Sequence, residues 1–241
     1  MPLTRRPIQS LSAALELANA VRRIALADTC VACGAIRVGA FPLCAACRRG
    51  LVPVTPDETE LAGAPWPEIS GITALWHMER GSAARAVIHA LKYRGMPYIG
   101  HPIGARIARE PGLPETALVI PIPLHRTRLR ERGYNQASMI ARGIVAARPE
   151  FVLNEALQRT RASESQTTHG RAGRAAADRH HFEVGREVVE GHAVVLVDDV
   201  FTTGATAASA ARCLIDAGAG RVHVAAAGLT TARRSGFIGS R

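Results

Sequence analysis

The sequence is poor in several features that define common protein classes. Lys92 is the only lysine among thirty basic residues, and Phe, Trp and Tyr together make up 4% of the 241 residues. No apolar run approaches the ~18–20 residues that a membrane-spanning helix needs. Neither a Gly-Lys-Ser/Thr phosphate loop nor a Gly-x-Gly-x-x-Gly dinucleotide fingerprint occurs. We therefore expect no membrane span, and the low aromatic content argues against a protein that stacks single-stranded bases on its rings.

The chain carries a formal net charge of +10. Such a charge favours anionic partners, either nucleic acid or a polyphosphate substrate. Because arginine replaces lysine nearly everywhere, the charge can equally reflect a general composition bias spread over the surface. Arg5 and Arg6 lie near the N-terminus, but Glu16, Arg22 and Arg23 interrupt the apolar residues after them. The segment makes a poor signal peptide, and we expect a cytoplasmic protein.

Two Cys-x-x-Cys pairs, separated by ten residues, predict a metal site near the N-terminus. The four cysteines are Cys30, Cys33, Cys44 and Cys47. Each pair can aim two thiolates at one metal, and four thiolates make a closed tetrahedral zinc site with a structural role. Two disulfides and an iron–sulfur centre remain as alternatives, although a reducing compartment disfavours disulfides. Cys213 lies in a different, alanine-rich helix and reads as a small buried apolar residue.

The order of segments predicts a small N-terminal module followed by one α/β domain. Residues 1–50 are expected to hold a helix capped by Ser10 together with the cysteine module. Residues 51–70 are rich in proline and acid and are expected to form a linker. From residue 71 to residue 241 strand-like and helix-like segments alternate, which is typical of a parallel sheet with helices on both faces. Ligands of such sheets bind at the carboxyl ends of the strands.

One strand end carries the residues that point most directly to a ligand. The apolar run Ala193–Val197 predicts a buried parallel strand, and Asp198 and Asp199 come directly after it, where we expect the chain to leave the sheet. A small, hydroxyl-rich loop then opens an alanine-rich helix, and its residues are Thr202, Thr203, Gly204, Ala205 and Thr206. A helix N-terminus binds phosphate, whereas carboxylates repel phosphate and accept hydrogen bonds from sugar hydroxyls. The pattern fits a ribose 5-phosphate; the plainer alternative is a strand, a polar turn and a helix cap.

A second strand end is rich in cations. Residues 121–137 read Pro-Ile-Pro-Leu-His-Arg-Thr-Arg-Leu-Arg-Glu-Arg-Gly-Tyr-Asn-Gln-Ala and enter a helix. Arginine contacts phosphate oxygens through two parallel hydrogen bonds, so this loop suits a pyrophosphate. The alternative is a solvated basic turn in which Asn135 caps the helix.

These motifs together resemble a known family. The Asp-Asp-containing motif resembles the 5-phosphoribosyl-1-pyrophosphate (PRPP) motif of type I phosphoribosyltransferases. Along the chain this motif is preceded by the paired cysteines, by Leu-Lys-Tyr-Arg-Gly at 91–95 and by the block at 121–137. The four motifs in that order resemble the ComF family, many of whose members are named for competence or DNA uptake. The resemblance implies an α/β fold with a type I phosphoribosyltransferase-like parallel sheet flanked by helices, preceded by the small N-terminal four-cysteine zinc module.

The resemblance also implies roles for individual residues. Asp198 and Asp199 would hold the ribose hydroxyls, and the loop 202–206 would hold the 5-phosphate. Residues 123–126 would approach the pyrophosphate, and 159–174 would be a mobile flap, with Lys92 and Arg94 adding charge nearby. The expected pyrophosphate-loop and flap residues are Leu124, His125, Arg126, Lys92, Gln166 and Arg174. The flap departs from the family pattern at His169 and Ala177, which makes turnover less secure than PRPP binding.

These expectations lead to three functions. The first is transfer of a phosphoribosyl group from PRPP, with magnesium bridging pyrophosphate and ribose oxygens, to an acceptor that the sequence does not identify. The second is an interaction protein that uses the fold as a scaffold or PRPP sensor, with single-stranded DNA or proteins of the competence machinery as partners. The third is a PRPP-binding domain that has lost activity. The sequence indicates neither a general base nor an oligomeric state.

Overall fold

A computed structural model describes residues 29–39, 41–160 and 182–230 of the chain. Its strands are β1 Gly71–His77, β2 Ala117–Pro121, β3 Phe151–Leu153, β4 Gln158–Arg159, β5 Phe182–Glu183, β6 Ala193–Phe201 and β7 Arg221–Leu229. Its helices are α1 Ala45–Arg49, α2 Pro56–Gly63, α3 Ala83–Tyr93, α4 Gly100–Ile107, α5 Arg126–Arg132, α6 Gln136–Ala147, α7 Arg186–Val189 and α8 Ala205–Asp216. A short 3₁₀ turn, Pro97–Ile99, precedes α4.

The main sheet has five parallel strands in the order β1-β7-β6-β2-β3. The expectation of a parallel sheet flanked by helices is therefore confirmed. Strands β4 and β5 form a separate antiparallel pair. The apolar run of β6 alternates between the two faces, as a strand requires. Val195 and Val197 pack in the core with α3, α4 and α6, whereas Val194 and Leu196 pack in the core with α8.

Glycines let α4 and α6 pack closely on one face of the sheet. A Cβ atom at Gly104 would lie 2.0 Å from the carbonyl oxygen of Ile140, and one at Gly143 would lie 2.3 Å from that of His101. Neither position tolerates a side chain without moving a backbone. This contact fixes the start of α6, where several residues of the functional site lie.

The cysteine module packs directly on the main core. Cys30 and Leu43 are buried in the same apolar cluster as Trp76 of β1, and the ring of Phe41 meets that tryptophan edge-on at 5.9 Å. The segment expected to be a linker contains helix α2. It also pairs with β1, where the backbone N–H of Val54 donates to the carbonyl oxygen of Leu75. The division of the chain at residues 50 and 70 stays a prediction.

Two predicted segments lie outside the described residues. They are the N-terminal helix that begins after Ser10 and most of the flap, including Gln166 and Arg174. Among the described residues, no helix combines the length and the apolar character that crossing a bilayer demands.

Candidate functional site

The candidate site lies at the carboxyl end of strand β6. Strand β2 ends at Pro121, opposite Val197, while β6 stays paired with β7 as far as Phe201. The expectation that the chain leaves the sheet before Asp198 is therefore wrong, because the strand continues for four more residues. What ends at Val197 is the pairing with β2. One edge of β6 is thereby open from Asp198 onward.

The two carboxylates of β6 are not equivalent, because successive side chains of a strand point to opposite faces. Asp199 shares the face of Val195 and Val197, where α3 packs, and its Oδ1 lies 2.8 Å from Nζ of Lys92. Asp198 has the opposite orientation, and its Oδ1 accepts the backbone N–H of Asp199 at 2.7 Å. Burial, together with the neighbouring charge of Asp199, raises the pKa of Asp198 to about 7. Lys92 and Arg159 oppose that rise.

The loop after β6 turns sharply into helix α8. Gly204 has φ +82°, the left-handed conformation that glycine adopts without a steric penalty. The Oγ1 of Thr203 accepts the N–H of Ala205 at 3.5 Å, and Thr206, in the first turn of the helix, lines the adjoining cleft. The loop and the helix start thus lie where the sequence predicts them, at the carboxyl end of β6.

A tryptophan from the segment 51–70 packs against this loop. A Cβ atom built on Gly204 would lie 2.3 Å from Nε1 of Trp66, so the indole rests directly on the glycine. Two residues on, the carboxylate of Glu68 pairs with Arg212 of α8, with Oε1 2.8 Å from the guanidinium Nε. These contacts brace the loop from a segment that sequence reasoning treated only as a linker. No motif marks Trp66, and only the fold brings it to the loop.

The basic helix α5 presents only one of its faces to the site. His125 caps this helix, since its Nδ1 accepts the N–H of Thr127 at 3.3 Å. Arg128 and Arg132, four residues apart, lie on the face that lines the cleft. Arg126 does not line it, because two residues along a helix correspond to a rotation of about 200°. Arg126 is exposed, and its expected role at the pyrophosphate loop stays a prediction.

The cleft between β6, α5 and the start of α6 has a volume of about 710 Å³. It joins predicted residues from separate parts of the sequence: Lys92, Leu124, His125, Asp198, Asp199 and Thr206. It also includes four residues that belong to the predicted basic block and to the start of the predicted flap but were not named individually: Arg128, Arg132, Gln136 and Arg159. Burial lowers the pKa of Arg159, the nearby charge of Arg128 lowers it further, and Asp198 opposes both. The cleft thus offers hydroxyl acceptors on one side and anion-binding cations on the other.

Two expected residues lie elsewhere. Thr202 lines a neighbouring cavity of about 310 Å³, together with Met78 and Val200. Arg94 donates to the carbonyl of Val31 at 3.4 Å and so ties α3 to the cysteine module. The Asn135 side chain caps α6 by accepting the N–H of Ala137, as the plainer interpretation of that motif predicts.

The four cysteines of the N-terminal module converge as a metal site requires. Their Sγ atoms all lie within 4.8 Å of one another, and those of Cys33 and Cys44 are 3.7 Å apart. Tetrahedral zinc with ~2.3 Å bonds to sulfur places two ligands about 3.8 Å apart. Burial opposes the thiolate of Cys30, but backbone N–H donors outweigh it and lower the pKa to about 6. The cluster therefore fits a zinc ion held by four thiolates.

Known proteins with similar sequences carry names linked to DNA uptake and use. The chain is 34% identical over 103 residues to the competence protein ComFC of Bacillus subtilis, a match that covers 42% of this chain and 39% of ComFC. It is 33% identical over 116 residues to the DNA utilization protein YhgH of Escherichia coli O157:H7, covering 48% of this chain and 51% of YhgH. The matches thus span about half the length of these relatives or less. No protein-family model matches the chain.

Two solved structures resemble parts of this chain. Glutamine PRPP amidotransferase from B. subtilis is 25% identical with a TM-score of 0.39, covering 53% of this chain and 25% of that enzyme. A hypoxanthine phosphoribosyltransferase from Staphylococcus aureus is 13% identical with a TM-score of 0.32, covering 61% of this chain and 70% of that chain. Both likenesses are partial, and the parallel five-stranded sheet by itself defines the fold of this chain. Through its similarity to ComFC and YhgH, the chain's resemblance to the ComF family, predicted from its motifs, is confirmed.

Proposed function

We propose that the chain binds PRPP and transfers its phosphoribosyl group to an acceptor. The observation that carries this proposal is the meeting of Asp198 and Thr206 with the cations Arg128 and Arg159 in one cleft. PRPP requires three elements, and the cleft offers a candidate for each. They are a carboxylate that accepts sugar hydroxyls, a helix start that holds a phosphate, and arginines that hold a pyrophosphate.

In the proposed reaction a nucleophile of the acceptor forms a bond to the anomeric carbon, and the bond from that carbon to the pyrophosphate oxygen breaks with its electron pair on the leaving group. The arginines of the cleft would stabilise the charge that grows on the pyrophosphate, and Asp198 would orient the ribose. Lys92 would keep the charge of Asp199 compensated until a ligand binds. Magnesium bound together with PRPP would neutralise further charge on the leaving group.

The test is calorimetric titration with PRPP and magnesium. We expect micromolar binding by the wild type and its loss in the double variant Asp198→Asn/Asp199→Asn. Asparagine keeps the shape of each side chain and removes its charge. The matched control is Asp216→Asn, an exposed carboxylate at the other end of α8, about 17 Å along the helix from its start. No binding by the zinc-loaded wild type, or equal binding by the double variant, would refute the proposal.

Release of pyrophosphate then separates an enzyme from a sensor. Binding of PRPP with acceptor-dependent release of pyrophosphate would identify a transferase. Intact PRPP binding without release, across a panel of nitrogen bases and ammonia, would identify a PRPP-binding protein that has lost turnover. The acceptor itself stays open.

A nucleic-acid partner is the second candidate. Tyr93 and Tyr98 are 64% and 52% exposed, enough for bases to stack on them. The arginines of α5 lie nearby, with Cζ of Arg132 4.9 Å from the centre of the Tyr93 ring. The names of ComFC and YhgH favour a role linked to DNA. Single-stranded DNA binding that falls steeply with salt and survives Asp198→Asn/Asp199→Asn would support this candidate.

The remaining proposals concern the setting of this activity. We assign zinc, with a structural role, to the four cysteines, since four thiolates would fill a tetrahedral zinc site and leave no position for a reactive water. The chain is proposed to act in the cytoplasm, where free cysteines stay reduced.

A further inference from the structure

Gln136 carries an unsatisfied hydrogen-bond donor in the wall of the cleft. The residue is 1% exposed and stands at the first position of α6. Its Nε2 atom is buried and finds no hydrogen-bond partner among the residues that the structure describes. Leaving a buried amide donor unpaired is costly, and folded proteins rarely do so without a reason.

The orientation of this amide is set by its neighbour. The Oε1 of Gln136 accepts a hydrogen bond from Nη1 of Arg132 at 2.8 Å. A guanidinium is only a donor, so it must face the amide oxygen and leaves the NH₂ group directed elsewhere. Arg132 is itself held by its stacking on Tyr93, which also lines the cleft. The contacts of Arg132 with Tyr93 and Gln136 join three helices, and they therefore fix the orientation of the unpaired NH₂ group.

The surroundings indicate what the donor would bind. Arg128 and Arg159 line the same cleft as Gln136, and the first turn of a 12-residue helix adds its positive end. All of these favour an anionic oxygen, while the carboxylates that suit hydroxyls belong to β6. We propose that the Gln136 amide donates to a phosphoryl oxygen at the pyrophosphate end of the ligand. This inference rests on the proposed function and adds a binding residue to it.

The test compares Gln136→Leu with the wild type in titrations with PRPP, inorganic pyrophosphate and ribose 5-phosphate, each with magnesium. Leucine has nearly the same volume and no donor. We expect about tenfold weaker binding of PRPP and of pyrophosphate, which corresponds to about 1.4 kcal/mol, and unchanged binding of ribose 5-phosphate. The melting temperature of the free protein should stay within about 2 °C, because the variant loses the Arg132 contact and also the unpaired donor.

Two controls keep the inference falsifiable. Gln158→Leu makes the same chemical change at an exposed position of β4 and should leave all three affinities unchanged. Gln136→Glu keeps a partner for Arg132 but removes the donor and adds a negative charge. This variant should bind pyrophosphate more weakly than Gln136→Leu. It also tests the inference if the leucine variant fails to fold.

The possible outcomes separate the two proposals. Wild-type affinity for PRPP and pyrophosphate in both folded Gln136 variants would overturn the inference and leave the proposed function intact. An equal loss of ribose 5-phosphate binding would also overturn it, because a general distortion of the cleft would then explain the result. A wild type that binds neither PRPP nor pyrophosphate would overturn the proposed function, and this inference with it.

Discussion

The ion pair between Lys92 and Asp199 gives a sharp test of the site's electrostatics. At an effective dielectric constant near 20, charges separated by 2.8 Å attract each other by roughly 6 kcal/mol. Desolvation offsets much of this, and the side chains are 24% and 12% exposed, so the pair is intermediate between a surface pair and a buried one. We expect Lys92→Met to lower the free energy of unfolding by about 2 kcal/mol, or about 4–8 °C in melting temperature.

The assay is a double-mutant cycle with Asp199→Asn at pH 8, followed by urea denaturation. Lys92→Met should cost markedly less in the Asp199→Asn background, because no charge is then left unpaired. Arg106→Met is the matched control: Arg106 pairs with Glu110 at an exposed position and should contribute about 0.5 kcal/mol or less. Equal losses for Lys92→Met in both backgrounds would refute the reasoning and reduce Lys92 to a packing residue.

The same structure supports four further predictions. PRPP binding near pH 6 should release protons, measured by calorimetry in two buffers, because a carboxylate that accepts hydroxyls must ionise and the pKa of Asp198 is raised to about 7. Asp198→Asn should release fewer protons than the wild type, while the phosphates of PRPP contribute equally in both. Gly204→Ala should lower the melting temperature more than Gly191→Ala, since both glycines have positive φ but only the first meets a neighbouring side chain. Elemental analysis should find about one zinc per chain, lost with a serine at one of the four cluster cysteines and retained in Cys213→Ser. Burial lowers the pKa of His223 to about 4, so as pH falls the unfolded state takes up a proton on this histidine before the folded state does. The free energy of unfolding should therefore fall by about 3 kcal/mol between about pH 6.5 and pH 4. Urea denaturation of His223→Gln should lack that loss.

Local patterns in the sequence determined much of the fold and the centre of the site. The apolar run Ala193–Val197 predicts a buried strand, and the small residues Thr202–Thr206 predict a turn into a helix; both are present, although the strand continues to Phe201. The paired cysteines likewise have a spacing that permits one metal site whatever surrounds them. These features depend only on side-chain type and on spacing over a few residues. The sequence therefore predicts them without any knowledge of which elements become neighbours in the fold.

Tertiary structure alone decided how the site is divided. Helix α3 packs on one face of the sheet and places Lys92 beside Asp199. Asp198 points to the opposite face, and its pKa is raised. No sequence motif distinguishes these two adjacent aspartates. The face of α5 that meets the cleft selects Arg128 over Arg126, a choice set by the angle at which the helix docks. Trp66 reaches the loop after β6 across more than 130 residues of sequence. Such contacts depend on how elements far apart in the chain pack together, and sequence periodicity describes only the elements themselves.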